Sequence, residues 1–204
     1  AELKLDLNRD GLIDGQDVGR FGKKLQAIDT LNRSGTSYDL NQDGVVDDTD
    51  VELFAAVIGD SLILANLNAE VTQKLDTNGD GIIDANDLAK FENWVRLMKA
   101  ANDPRFNFDF DGDGRLTEVD YAALKDLVRY GFFKYLSEEA QQNLDLNRDG
   151  MLDANDVDML LTYMQVIDHL NAGDGVVDLN RDGVVDVNDT MLCLETANQP
   201  WADR

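Results

Sequence analysis

The chain has 204 residues, 41 of them acidic and 18 basic, and a formal net charge of −23. That charge disfavours nucleic acid and anionic membrane surfaces as partners, and no apolar stretch approaches the roughly 20 residues needed to span a bilayer. A single cysteine excludes an internal disulfide framework.

Read from its beginning, the chain reaches at Asp6 a twelve-residue pattern: Asp at positions 1 and 5, Asn (Asp in the fourth copy) at 3, Gly at 6, an apolar residue at 8, and Asp again at 12. The pattern returns at Asp39, Asp76, Asp109, Asp145 and Asp178, at intervals of 33, 37, 33, 36 and 33 residues. Short and long intervals alternate. The loops therefore fall into three pairs, and the chain is expected to be a tandem array of units spanning 1–66, 67–135 and 136–204. Units of about 65 residues bury little apolar surface, so bound metal is the expected additional source of stability.

Oxygen-bearing positions follow in the same order in every loop. Positions 1, 3, 5, 7, 9 and 12 are Asp6, Asn8, Asp10, Leu12, Asp14 and Asp17 in the first loop, and Asp39, Asn41, Asp43, Val45, Asp47 and Asp50 in the second. The third has Asp76, Asn78, Asp80, Ile82, Asp84 and Asp87, and the fourth Asp109, Asp111, Asp113, Arg115, Thr117 and Asp120. The fifth has Asp145, Asn147, Asp149, Met151, Asp153 and Asp156, and the sixth Asp178, Asn180, Asp182, Val184, Asp186 and Asp189. This is the ligand spacing of an EF-hand-type calcium loop, in which a hard cation collects six to eight oxygens and position 7 contributes its backbone carbonyl. That last role explains why position 7 varies freely. Thr117 makes the fourth loop the outlier at position 9.

Of the 41 acidic residues, 24 sit at these positions, four in each loop, so the negative charge is concentrated. Six divalent ions would neutralise about half of the net charge. Polar linkers with isolated Asx-turns would not match at positions 6, 8 and 12 six times over. Position 8 is apolar throughout (Ile13, Val46, Ile83, Leu116, Leu152 and Val185), as expected if paired loops meet through a short β bridge.

After each loop an apolar stripe predicts a helix of about three turns: Val18, Phe21 and Leu25; Val51, Phe54 and Ile58; Leu88, Phe91 and Val95; Tyr121, Leu124 and Val128; Val157, Leu160 and Met164. In the sixth repeat the slots hold Thr190, Cys193 and Ala197, which places the lone cysteine toward a core as an inert thiol. Ahead of Asp76 and Asp145, N-A-E-V-T-Q-K-L and S-E-E-A-Q-Q-N-L predict short connecting helices capped by Asn68 and Ser137. The segments before Asp39 and Asp109 do not read as helices. His169, the only histidine, lies outside every ligand position, so zinc-type chemistry has no ligand set. The five scattered methionines do not form the groove that calcium sensors open. No nucleophile elbow, phosphate-cradling loop or histidine base is present, and the chain is expected to be non-catalytic.

Aspartate at position 12, where most EF-hands place a bidentate glutamate, together with loop-then-helix units, resembles the type I dockerin family. The resemblance implies an all-α, EF-hand-like fold of three tandem pairs of loop-helix units with short β bridges, holding up to six Ca2+ ions. It also implies a cohesin-like or surface protein as partner, no nucleic acid and no membrane insertion, and an extracellular, cell-surface or periplasmic setting. Family recognition runs largely through positions 10, 11, 17 and 18. Here these read Gly15-Gln16 and Gly22-Lys23 in the first repeat, against Ala85-Asn86 and Glu92-Asn93 in the third, so no repeated binding surface emerges. The alternative is a calcium or lanthanide buffer or store without a protein partner.

Overall fold

A computed structural model describes residues 6–172, 178–184 and 187–197. The elements in chain order are α1 (Gly15–Ser34), α2 (Asp48–Val57), α3 (Ser61–Leu64), α4 (Ala69–Leu75) and α5 (Ala85–Ala101), then α6 (Glu118–Arg129), a 3-10 turn (Phe132–Tyr135), α7 (Glu138–Leu144), α8 (Ala154–Ala172) and α9 (Val187–Ala197). The fold is all-α, as expected. Among the described residues there is no strand or bridge, so the expected β pairing at position 8 is not seen, and Val185 lies outside those residues.

Helix length alternates with the loops. The helices after loops 1, 3 and 5 have 20, 17 and 19 residues, whereas those after loops 2, 4 and 6 have 10, 12 and 11. The expectation of about three turns therefore holds only for the even loops, and the odd ones run on to about five. Loops 2 and 4 are entered from irregular chain, as expected. Loops 3 and 5 are entered directly from α4 and α7, so both possess the incoming helix that a bare loop-helix unit lacks. Asn68 Oδ1 caps α4 by accepting from Val71 N at 2.9 Å, and Ser137 Oγ caps α7 by accepting from Ala140 N at 3.1 Å.

The chain forms two compact units, Ala1–Val95 and Arg96–Arg204. Packing and sequence period thus divide the chain differently, since the periodic boundary after residue 66 falls inside the first unit and that after residue 135 inside the second.

In the first unit, Phe54 of α2 meets Phe91 of α5 with ring centroids 5.7 Å apart, and Tyr38 stacks on Phe91 and turns an edge to Trp94 at 5.4 Å. Leu31, Leu40, Val57, Val71 and Leu75 complete this fully buried core. The C-terminal half of α1 joins it. Asn32 donates to Asn66 O at 3.0 Å and accepts from Asn68 N at 2.7 Å, which fixes the start of α4. Lys74, buried in the last turn of α4, donates to Ser34 Oγ at 2.7 Å and Ser37 O at 2.6 Å. Burial lowers its pKa to about 8, against the pull of Asp50 and Asp39. Lys24 pairs with Asp60 at 2.6 Å.

The N-terminal half of α1 does not follow the expected stripe. Val18 is 69% exposed and Leu25 48%, while Phe21 is half-buried. The links from α1 to α3, α4 and the second loop run through Lys24, Thr30, Asn32 and Ser34, so these neighbours cover only its C-terminal half. The central stripe residues of α2, α5, α6 and α8 behave as read: Phe54, Phe91, Leu124 and Leu160 are fully buried.

In the second unit α6 packs on α8 and on the 3-10 turn, and α8 packs on α9. Leu124, Leu127, Phe132, Leu144, Leu160 and Val166 have no exposed surface. Asn102 Oδ1 accepts from Ser137 N at 2.8 Å, the counterpart of the Asn32–Asn68 bond one period earlier. Arg96 donates to Phe110 O at 2.8 Å beneath loop 4. Cys193 is half-buried rather than fully enclosed, and the side chains of Thr190, Ala197 and His169 lie outside the described residues.

Candidate metal centres

Each loop is a ring of backbone N–H groups tied to its own acidic side chains. The position 5 N–H donates to the position 3 side-chain oxygen at 2.8–3.1 Å in all six loops. The position 6 N–H donates to Oδ2 of position 1 at 2.8–3.0 Å. The position 7 N–H donates to Oδ1 of position 5 at 2.8–2.9 Å. These bonds fix the side-chain oxygens of positions 1, 3 and 5 about the turn while leaving each oxygen a further lone pair.

The turn needs two left-handed residues. Glycine supplies the one at position 6, with φ between 80° and 95°. Position 4 is the second, with φ of 59° at Arg9, Arg148 and Arg181, 64° at Gln42 and 77° at Gly79 and Gly112. Sequence reasoning missed this position, although Gly79 and Gly112 signalled it.

Position 12 does more than provide a carboxylate. Asp17, Asp50, Asp87, Asp120, Asp156 and Asp189 are all buried, none more than 3% exposed. In every loop Oδ1 accepts a backbone N–H from position 2 or 3, as from Leu40 at 2.6 Å and Phe110 at 2.7 Å. Oδ2 accepts from the N–H of position 9 in the first five loops, at 2.7–2.9 Å. Position 9 in turn caps the following helix: Asp14, Asp47 and Thr117 each form a reciprocal capping box with position 12. The three-residue spacing from 9 to 12 carried this signal. It also explains Thr117, whose hydroxyl caps α6 as an aspartate would and accepts from Val119 N at 3.2 Å.

Electrostatics distinguish the loops. Backbone N–H donation, led by Asp14, holds the Asp17 carboxyl below its ordinary range. Burial pushes Asp50 and Asp120 up despite the same kind of donation, and Asp39 and Asp111 respectively add repulsion. In loop 4 one oxygen each from Asp109, Asp111 and Asp120 lie within 4.8 Å of one another. In loop 6 Oδ1 of Asp178 is buried without a hydrogen-bond partner. Crowded carboxylates and an orphaned buried oxygen are satisfied by a hard divalent cation bound through oxygen.

Position 7 fits a backbone ligand, since Leu12, Val45, Ile82, Met151 and Val184 turn their side chains outward and are 51–63% exposed. In loops 1 to 5 the structure ties positions 1, 3, 5 and 12 into the turn by these hydrogen bonds and turns position 9 to the start of the following helix, and among the described residues three carboxylates converge within 4.8 Å in loop 4 alone. In loop 6 it gathers Asp178, Asn180, Asp182 and Asp189, while Asp186 lies outside the described residues. No helix among the described residues is long and apolar enough to cross a membrane.

A family model for the dockerin type I domain matches residues 4–58 and, again, residues 74–129, together more than half of the chain. No curated protein and no solved structure matches it.

Proposed function

Since the chain belongs to the type I dockerin family, whose domains are calcium-binding, non-catalytic protein-interaction modules, we propose that it carries three such modules in series and fills up to six loops with Ca2+. Loops 5 and 6 lie beyond the matched residues and repeat the ligand pattern of loops 1 to 4. The observation that carries this reading is the buried position 12 aspartate, held by backbone N–H groups in all six loops. It closes each loop around the remaining oxygens.

The metal is part of the fold and the chain itself performs no reaction. Its setting is extracellular, cell-surface or periplasmic, where calcium modules bind at about 0.1 to 1 mM. The partner is a cohesin-like domain or another surface protein. The exposed N-terminal half of α1, with Val18, Leu25 and the recognition positions Gly15, Gln16, Gly22 and Lys23, is the surface that supports a protein partner. Variation of the recognition positions between repeats favours one competent module over three equivalent ones.

The same variation supports a second reading, a calcium or lanthanide store without a partner. Calorimetric titration of the full chain with calcium, then with a panel of purified cohesin domains in calcium and in chelator, separates the two. Calcium-dependent binding of a cohesin establishes the adaptor. Saturation with calcium but silence across the panel leaves the store.

A further inference from the structure

Asparagine followed by glycine occurs once in the chain, at Asn78–Gly79, positions 3 and 4 of loop 3. Loops 1, 5 and 6 have Asn-Arg at these positions, loop 2 Asn-Gln and loop 4 Asp-Gly. The left-handed backbone at position 4 accepts arginine three times, so the turn itself does not demand glycine. At Gly79 no atom lies within 4 Å of where a β-carbon would stand, and both residues are exposed.

We propose that Asn78 is a calcium-gated site of spontaneous deamidation, an inference that rests on the reading of loop 3 as a calcium site. The backbone nitrogen of Gly79 attacks the side-chain carbonyl carbon of Asn78 and forms the new N–C bond of a five-membered succinimide. The bond from that carbon to the amide nitrogen breaks, and ammonia leaves carrying the proton lost by the attacking nitrogen. Water then opens the ring to aspartate or to an isoaspartyl linkage, and no oxidant or reductant is needed.

The folded loop engages both reacting groups in hydrogen bonds. Gly79 N–H donates to Asp76 Oδ1 at 2.9 Å, which occupies the nucleophile. The Asn78 side chain accepts from Asp80 N at 2.8 Å and donates to Asp80 Oδ2 at 3.1 Å, and its backbone N–H donates to Asp87 Oδ1 at 3.1 Å. Every one of these restraints ends on a residue whose carboxylate belongs to the ligand set. With the ion removed, Asp76, Asp80, Asp84 and Asp87 repel one another, and local opening frees both groups.

The two products differ in effect. Aspartate turns the loop into Asp-x-Asp-Gly-Asp-Gly, the pattern of Asp109 to Gly114 in loop 4, and keeps it competent. The isoaspartyl form adds a methylene to the backbone at position 3 and disables it. Calcium starvation is thereby written as a deamidation at the one Asn-Gly pair of the chain.

The test is incubation of the full chain at mildly alkaline pH, with and without calcium, followed by peptide mapping for replacement of NH2 by OH and by isoaspartyl methylation. Asn78 should convert faster than Asn8, Asn41 and Asn147 in chelator, and about tenfold more slowly when calcium stands about ten times above the Kd of the loop. Gly79→Arg should bring Asn78 down to the rate of its counterparts. Conversion of Asn78 no faster than that of Asn8, Asn41 and Asn147, or at the same rate in calcium, overturns the proposal. Calorimetry on the same samples separates this failure from a loop that binds no calcium.

Discussion

The position 12 aspartate is a scaffold by its hydrogen bonds and a ligand in the proposed reading, and the two roles separate experimentally. Asp50 accepts from Leu40, Asn41 and Asp47 N–H groups at 2.6, 3.1 and 2.9 Å. Asp50→Ala strands these donors, and the metal-free protein should lose about 3 kcal/mol in chemical denaturation. A residue that acted only as a ligand would leave metal-free stability unchanged or raise it. Acidity gives a second prediction. Burial raises the pKa of Asp50 and Asp120 in the metal-free fold, so the native state there binds more protons than the unfolded one once pH exceeds the unfolded value. Stability then falls as pH climbs through the raised pKa. The metal-free protein should melt higher at mildly acidic pH than at neutrality, and saturating calcium should reverse the order because the ion requires the carboxylates ionised. Thermal melts at the two pH values check both signs.

At the scale of elements, the alternation of long and short helices follows from what each must reach. The helices after loops 1 and 3 run on to an asparagine that meets the start of the next entering helix: Asn32 at Asn68, and Asn102 at Ser137. Asn32→Ala should loosen α4 and Asn102→Ala should loosen α7, each by about 1 kcal/mol. Hydrogen exchange should show faster exchange in that one short helix. Exchange rising equally in both helices for either variant would show a general loss of stability instead. The pairing of the loops was legible in their intervals, but the longer reach of α1, α5 and α8 was not, because an apolar stripe marks the buried face of a helix and not where it stops. The stripe misled in α1, where Val18 and Leu25 are exposed, since periodicity reports a face capable of burial whether or not a neighbour covers it.

For the whole molecule the decisive quantity is charge. With 41 acidic and 18 basic residues, and four carboxylates in each loop, stripping calcium should convert the loops from the centres of stability to its main opponents. Helix content by circular dichroism should drop on chelation and return on calcium addition. An unchanged spectrum would mean that the hydrophobic cores around Phe54, Phe91 and Leu124 suffice without the metal.

The residue types of the loops, their spacing, the pairing interval and the caps at Asn68 and Ser137 were determined by the sequence alone, because each depends on residues close together in the chain. Tertiary structure decided the rest: which half of α1 is covered, the grouping into units 1–95 and 96–204, and the burial of Lys74 against Ser34 and Ser37. Those outcomes depend on which segments distant in the chain meet. A local pattern states that a face can be buried, and only packing selects the neighbour that buries it.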